Sequence, residues 1–313
     1  MSVSDSSNHL PDFCITPRDT LMNNLPTPLT HIVGREHEIS SIKQHLSTTR
    51  LLTLTGAGGI GKTSLAIHVA NEIAQTDESL FDGGIWFVEL AHLSDAALLP
   101  QSIAQALNLC KEQGESLITT LYTFLRSQKT LLILDTCEHL VEASAKLIEV
   151  LLQMCPILHI LVTSREALGL RGEVVYCLPS LSVPPLSTAL SLDDLSSYEA
   201  TAFFLERVRA IHPHFRVSTR NAPVLAKICR QLEGLPLAIE FAAAWIRAMP
   251  VEQIAEQMKG DLDERFSLLS NRNRTAPPRQ RTLRTTFDWS YNLLSGHEQT
   301  LLQRLAGEGE HTK

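Results

Sequence analysis

No stretch of the 313-residue chain approaches the roughly 18 consecutive apolar residues that a membrane-spanning helix needs. The best apolar run, Leu235 to Ile246, is short and carries Glu240. Cys-x-x-Cys pairs are absent as well. The six cysteines (Cys14, Cys110, Cys137, Cys155, Cys177 and Cys229) are scattered, so zinc and dithiol redox chemistry have no support. They read as reduced, mostly buried small hydrophobes. Twelve histidines form no His-Glu-x-x-His and no close cluster with carboxylates, so they read as surface or packing residues rather than metal ligands. A basic excess is missing too: 27 Lys+Arg stand against 34 Asp+Glu, a formal net charge of −7. Phosphate contacts supply most of a nucleic-acid-binding domain's affinity, so no direct DNA binding is expected of the chain as a whole. The opening MSVSDSSNHLPDFC has neither a basic start nor an apolar h-region, so it does not read as a secretory signal. No long solenoid repeat is found. A cytoplasmic location without a membrane partner is the expectation.

What is present is an ordinary core-forming composition, 44% hydrophobic and 19% charged, in a length that suits about two domains. Residues 1–24, rich in Ser, Asn and Asp, read as a flexible leader. From residue 51 short apolar runs alternate with helical spacing. LLTLT (51–55), IWFVEL (85–90), LLILD (131–135), ILHILVT (157–163) and VVYCL (174–178) have strand length. Near-continuous apolarity marks strands covered on both faces, as in a parallel sheet. Leu65, Ala66, Val69, Ala70 and Ile73 define one face of an intervening helix, and further helices fall near 97–108, 116–126 and 140–153. Strand–helix alternation predicts βαβ units with right-handed crossovers. These features assign residues 25–180 to an α/β domain.

A Pro/Ser-rich linker is expected at 181–196. Beyond it the pattern is purely helical over 197–270, which predicts a small helical bundle. Ser196 and Glu199 have capping-box spacing. Gly234 suits a helix stop, and Pro236 suits the first turn of the helix LAIEFAAAWIRAM. Glu240, in an otherwise apolar helix, is expected to be a buried carboxylate holding a structural hydrogen bond. The remaining stretch, 271–313, opens with Arg272, Arg274, Arg279, Arg281 and Arg284, which read as an interdomain loop paired with the acidic remainder.

GAGGIGKT (Gly56, Ala57, Gly58, Gly59, Ile60, Gly61, Lys62, Thr63) fits G-x-x-x-x-G-K-[ST], a match expected by accident in roughly 1% of chains this long. It follows an apolar strand and opens an amphipathic helix, as a phosphate-binding loop must. Glycines let consecutive N–H groups turn inward around phosphate oxygens, and the helix N-terminus adds partial positive charge. Lys62 is positioned to bridge β- and γ-phosphates, Thr63 to hold Mg²⁺, and Ser64 to continue the loop's contacts. Asp135, ending a buried strand, is the expected second Mg²⁺ residue. Glu138 is the nearest candidate to polarise an attacking water. Arg165, at the end of the fourth strand, is placed where ligands of open α/β sheets collect and where a γ-phosphate could be reached.

These pieces, in this order, resemble the STAND signal-transduction NTPases of the NB-ARC type, in particular the ATPase modules of bacterial LuxR-type and AfsR-like regulators. The matching segments are LPTPLTHIVGRE, LLTLTGAGGIGKTSLA, FDGGIWFVELAHLSD, LLILDTCEHL, ILVTSREAL, ICRQLEGLPLAIEFAAA and RQRTLRTTFDWSYNLL. The resemblance implies a P-loop, AAA+-like parallel sheet, a helical-bundle domain and the first helix of a winged-helix domain, cut short at GEGEHTK. It implies that Val33, Gly34 and Arg35 lie by the adenine through backbone contacts. It also implies that Pro236 packs on the nucleotide and that Arg165 is a sensor arginine. ATP and ADP with Mg²⁺ are the implied cofactors, and self-assembly in the ATP state is an implied behaviour. The implied function is an ATP/ADP switch with slow Mg²⁺-dependent hydrolysis. Thr136 stands where members with robust hydrolysis carry a second acid. The alternative is a nucleotide-bound or degenerate interaction scaffold. A metabolic kinase or motor ATPase fits less well, because neither the GLPLAIE block nor the linker arrangement points there.

Overall fold

The computed structural model describes residues 23–28, 31–76, 80–109, 116–185, 192–258, 291 and 296–301. The arginine-rich stretch and most of the expected winged-helix fragment lie outside these residues. Residues 296–301 are helical.

The first unit is an α/β layer structure. Helix α1 (Glu36–Thr48) leads into β1 (Leu51–Thr55), α2 (Lys62–Thr76) and β2 (Ile85–Glu89). Then come α3 (Leu99–Ala106), α4 (Leu117–Leu125), β3 (Leu131–Asp135), α5 (Val141–Met154), β4 (His159–Thr163) and β5 (Val174–Cys177). The five strands form one sheet in the order β2-β3-β4-β1-β5, with every pairing parallel. Strands β1, β3 and β4 are buried along their whole length. That burial is why they read as unbroken apolar runs rather than alternating ones. The predicted face of α2 is buried as expected, with Leu65, Ala66, Val69, Ala70 and Ile73 packed on Leu52, Leu54, Leu131, Ile133 and Leu161. On the other face α3, α4 and α5 cover Leu132, Leu134, Ile160 and Val162.

The outer edge of β2 is closed by side-chain chemistry. Asn23 makes an isolated parallel bridge to Ile85. The Asn24 amide donates to the Phe87 carbonyl at 2.8 Å, and its carbonyl accepts the Phe87 N–H at 2.6 Å. Asn23 and Asn24, at the end of the stretch read as a leader, are thus laid against the sheet.

The second unit is helical: α6 (Leu192–Ser197), α7 (Glu199–Ile211), α8 (Ala222–Gln231), α9 (Pro236–Ala244) and α10 (Val251–Gln257). They surround Phe204, Phe241, Ile239, Leu225 and Ile254. Helix α8 ends in a Schellman turn. The Gly234 N–H donates to the Cys229 carbonyl at 3.2 Å and the Glu233 N–H to that of Arg230 at 2.9 Å, with φ of +53° at Glu233 and +66° at Gly234. The expected stop at Gly234 is present. A side chain there is excluded, because an added Cβ falls 2.0 Å from the Leu181 carbonyl oxygen.

Two sequence expectations are corrected here. Ser196 lies inside α6 and does not cap α7, whose N-cap residue Tyr198 makes no side-chain cap bond. The cap is long-range instead: Ser182 Oγ accepts the Glu199 N–H at 3.1 Å, while Glu199 Oε2 accepts the Ser182 N–H at 2.9 Å. This is capping-box reciprocity between residues 17 apart. Glu240 is exposed rather than buried, so its helix needs no internal partner for it. Among the described cysteines, Cys137, Cys155 and Cys229 are free and buried and Cys177 is free and exposed. Burial pushes the Cys229 thiol up to about 12.

Candidate functional site

Strand β4 is inserted between β1 and β3, so the ends of three strands converge behind the glycine loop. Thr63, in the first turn of α2, donates its hydroxyl to Asp135 Oδ1 at 2.7 Å. Thr163, ending β4, donates to the same oxygen at 2.7 Å and accepts the Thr136 N–H at 2.9 Å. The Thr136 hydroxyl donates to Asp135 Oδ2 at 2.9 Å. Asp135 is 2% exposed and both its oxygens are engaged. Thr136 holds a φ of +66°, a conformation that β-branched residues rarely adopt. The backbone there is turned so that the Thr136 N–H and hydroxyl both serve the Thr163–Asp135 cluster.

Lys62 folds over the loop, its ammonium donating to the Gly56 carbonyl at 2.8 Å and the Ala57 carbonyl at 3.2 Å. Burial pushes its pKa below the ordinary lysine value. Arg165 adds to that shift, and the carboxylates of Glu138 and Asp135 oppose it. Gly59 and Gly61 have φ of +80° and +100°, and a Cβ at Gly61 would meet nothing within 4 Å. The loop is therefore a cradle whose floor is backbone. Glu138 and Arg165 form an ion pair, Nε to Oε1 at 3.4 Å, and Glu138 Oε2 is buried without a hydrogen-bond partner among the described residues.

A cavity of about 430 Å³ lies over this cluster. Of the sequence-nominated residues, Val33, Arg35, Gly58, Gly59, Ile60, Gly61, Lys62, Thr63, Ser64, Glu138, Arg165 and Pro236 line it. Gly34, Gly56, Ala57 and Asp135 do not. Asp135 stands behind the three threonines. Arg35, 4% exposed, turns its guanidinium toward Glu38 Oε1 at 3.3 Å and the Ile60 carbonyl at 3.5 Å, bracing the loop from behind.

The helical unit closes the cavity's other side. The first N–H groups of a helix have no intrahelical acceptor. In α9 the Leu237 N–H donates to the Gly59 carbonyl at 3.2 Å, just after Pro236, which has no N–H to satisfy. Gly59 is required by this approach, since an added Cβ would stand 2.8 Å from Leu237 Cβ. From α7, Glu199 Oε1 accepts the Arg35 N–H at 3.2 Å, so one of the amides nominated for adenine recognition is engaged by a carboxylate. Leu237, Thr163 and, on the cavity wall, Phe203 and Arg207 are not among the site residues that the sequence nominates, and Glu199 enters there only as a helix-cap candidate. Thr163 carries a recoverable signal, a hydroxyl at the end of a buried strand two residues before Arg165. The others depend on how two units meet.

A parallel sheet of this order, with the glycine loop after β1 and a strand-end aspartate two strands away, defines a P-loop NTPase. Residues 35–168, which hold the sheet strands β1–β4 and the glycine loop, match the NB-ARC domain. A Mycobacterium tuberculosis (strain ATCC 25618 / H37Rv) protein provisionally named an HTH-type transcriptional regulator is 40% identical over 261 residues, 83% of this chain and 27% of its own. A second protein of that strain, Rv0894, is 39% identical over 279 residues, 89% of this chain and 65% of its own. The chain thus spans about a quarter of the first relative and just under two thirds of the second. Among solved structures, a STAND protein with a tetratricopeptide-repeat sensor from Pyrococcus horikoshii overlays with a TM-score of 0.43 at 16% identity, covering 77% of this chain and 33% of that one. Among the described residues no helix is long and apolar enough to cross a membrane, and no group of three or more His, Cys, Asp or Glu is placed to hold a metal.

Proposed function

We propose that the chain is an ATP/ADP-binding switch with slow Mg²⁺-dependent ATP hydrolysis, the regulatory module of a signalling or transcriptional protein. The observation that carries the reading is the direct seating of the helical unit on the phosphate loop, Leu237 N–H on the Gly59 carbonyl. A ligand in that loop acts on both units at once.

The residues fit the proposed ligands. A buried ammonium whose bonds go to two loop carbonyls sits beside a cradle of N–H groups and gains an ionic partner when a phosphate enters. Thr63 and Asp135 form the hard oxygen pair that Mg²⁺ takes alongside phosphate oxygens. Bound there, Mg²⁺ supplies charge neutralisation on the β- and γ-phosphates. Thr163 and Thr136 orient Asp135 by donating to its oxygens. Glu138, paired to Arg165, is the base candidate. Its second oxygen, without a partner among the described residues, is the atom that would accept a proton from water. Thr136 offers no second carboxylate, which agrees with slow turnover. Hydrolysis then serves to reset the switch, and the seating of α9 and α7 reports which nucleotide is held. Self-assembly in the ATP state and transcriptional output are part of the same proposal.

The first test is chromatography of nucleotide released on denaturing the purified protein. Near-stoichiometric ADP is expected. A protein that releases none and then binds neither ADP nor ATP is a scaffold. Nucleotide-dependent protease protection of residues 179–197 tests switching, and identical digestion with ADP and ATP would argue against it. Lys62→Ala is expected to abolish γ-phosphate-dependent binding, and unchanged ATP affinity would refute the assigned loop. Fast turnover without a partner would favour a motor.

A further inference from the structure

Glu199, Phe203 and Arg207 follow one another at intervals of four on α7, so they form one stripe along the helix. Its first member reaches the Arg35 amide, and the other two line the cavity. Phe203 therefore serves as wall as well as core support. The Arg207 guanidinium lies over the Phe203 ring, 4.8 Å from its centroid, an arrangement that fixes a long side chain by cation–π attraction. The Arg207 side chain is 16% exposed, and its Nε is buried with no hydrogen-bond acceptor among the described residues. The neighbouring carboxylate does not serve as one. Glu206 Oε2 forms a loose ion pair with Arg207 Nη2 at 3.9 Å, beyond hydrogen-bond distance, and has no hydrogen-bond partner among the described residues.

An arginine held rigid on an aromatic ring, facing a cavity, with a buried N–H lacking an acceptor, is arranged for a ligand that brings acceptors. The other cations on this wall are committed in part: Lys62 to the loop carbonyls, Arg165 to Glu138, Arg35 to Glu38. His31, His68 and Glu240 complete the ionisable groups on the cavity, and Glu240 is exposed at its rim.

We infer that Arg207 is a nucleotide-binding residue contributed by the helical unit, donating from its guanidinium to an acceptor atom of the adenine nucleotide. The inference rests on the nucleotide reading above and adds a second attachment of the helical unit, distinct from the α9 seat. A ligand held by the loop at one end and by Arg207 at the other clamps α7 to the α/β unit. Losing the contact loosens the clamp without disturbing the loop.

The test is binding of adenosine, AMP, ADP and ATP by titration calorimetry to the whole chain, unaltered and as Arg207→Met, which keeps the stem and removes every donor. Hydrogen bonds involving a charged group contribute enough for a roughly 10- to 100-fold loss in affinity. The ligand-free melting temperature should stay the same. The first member of the series to show the loss places the contacted group on the nucleoside or on a phosphate. Arg207→Lys keeps charge but not the planar fork and should lose several-fold. Phe203→Leu, which removes the platform, should lose less. Met and Lys variants that bind all four ligands within twofold of the unaltered chain overturn this inference alone. An unaltered chain that binds none of them overturns it together with the nucleotide reading.

Discussion

Replacing Glu199 by Ala removes a side chain that joins three parts of the molecule. Its carboxylate accepts the Arg35 N–H of the α/β unit at 3.2 Å and the Ser182 N–H of the connecting segment at 2.9 Å, while the residue itself starts α7. A hydrogen bond to a charged group contributes about 1.5–3 kcal/mol when shielded and far less in water. The Arg35 bond is partly buried and the Ser182 bond faces solvent. Together they amount to about 2 kcal/mol, equivalent to roughly a 30-fold rise in the opened population. Amide hydrogen exchange reads this directly, because local opening sets the exchange rate of protected N–H groups. The Arg35 and Ser182 amides should exchange roughly 30-fold faster in Glu199→Ala, whereas Glu199→Gln keeps one acceptor oxygen without the charge and sets an NH2 donor where the other stood, so only one of the two amides should stay slower than in the Ala variant. The carboxyl titrates accordingly. Burial pushes it up, but the Ser182 and Arg35 donors outweigh burial and hold it below the ordinary value of 4.5. A depressed carboxylate stabilises the folded form above its unfolded value and loses that contribution as pH falls through the folded one. The clasp should therefore loosen only in acid below about pH 4.5. Exchange at both amides within threefold of the unaltered chain in Glu199→Ala would refute the reasoning.

The buried Lys62 binds its proton less tightly than a free lysine, so the folded protein gains stability as pH rises through its lowered pKa. An anionic ligand favours the charged form, so nucleotide affinity should fall over the same alkaline range with proton uptake on binding, measurable by calorimetry in buffers of different ionisation heat. Gly234→Ala must place a Cβ against the Leu181 carbonyl at a φ of +66°. Such a substitution should cost about 3 kcal/mol or more, read as a lower denaturant midpoint. Thr136→Ser keeps the hydroxyl bond to Asp135 and removes the β-branch that the left-handed conformation at φ +66° resists, so it should instead stabilise by roughly 0.5 kcal/mol. An unchanged or lower midpoint would count against strain at that position.

Some of this was legible in the chain and some was not, for identifiable reasons. The glycine loop and the strands around it are local patterns, and burial on both faces leaves an apolar run that periodicity detects. The α8 stop was also readable, since Gly234 and Pro236 carry their own backbone preferences. Capping-box spacing picks out Glu199 but pairs it with Ser196, three residues before it. The actual partner, Ser182, is 17 residues away, and its second contact, Arg35, is 164 residues away. Spacing rules describe a single helix and cannot select a cap delivered by another segment. Phe203 fits helical periodicity as a core residue, and nothing in that pattern tells a core from a cavity wall. Thr136 looks like an ordinary strand-end residue until its φ is known.

The Asn24 side chain presents to β2 what a neighbouring strand would, one acceptor and one donor, both directed at Phe87. An open sheet margin is a template for stacking one copy against another, and proteins commonly block it with charge, proline or a covering segment. Here the Asn24 carboxamide, ahead of Pro26 and Pro28 and beside the Asn23 bridge to Ile85, covers part of that margin, which steers association of this domain away from it. A chain shortened to begin at Leu25 would keep the phosphate loop while baring the Phe87 N–H and carbonyl. Its solubility, more than its ligand affinity, is what the missing asparagine would change.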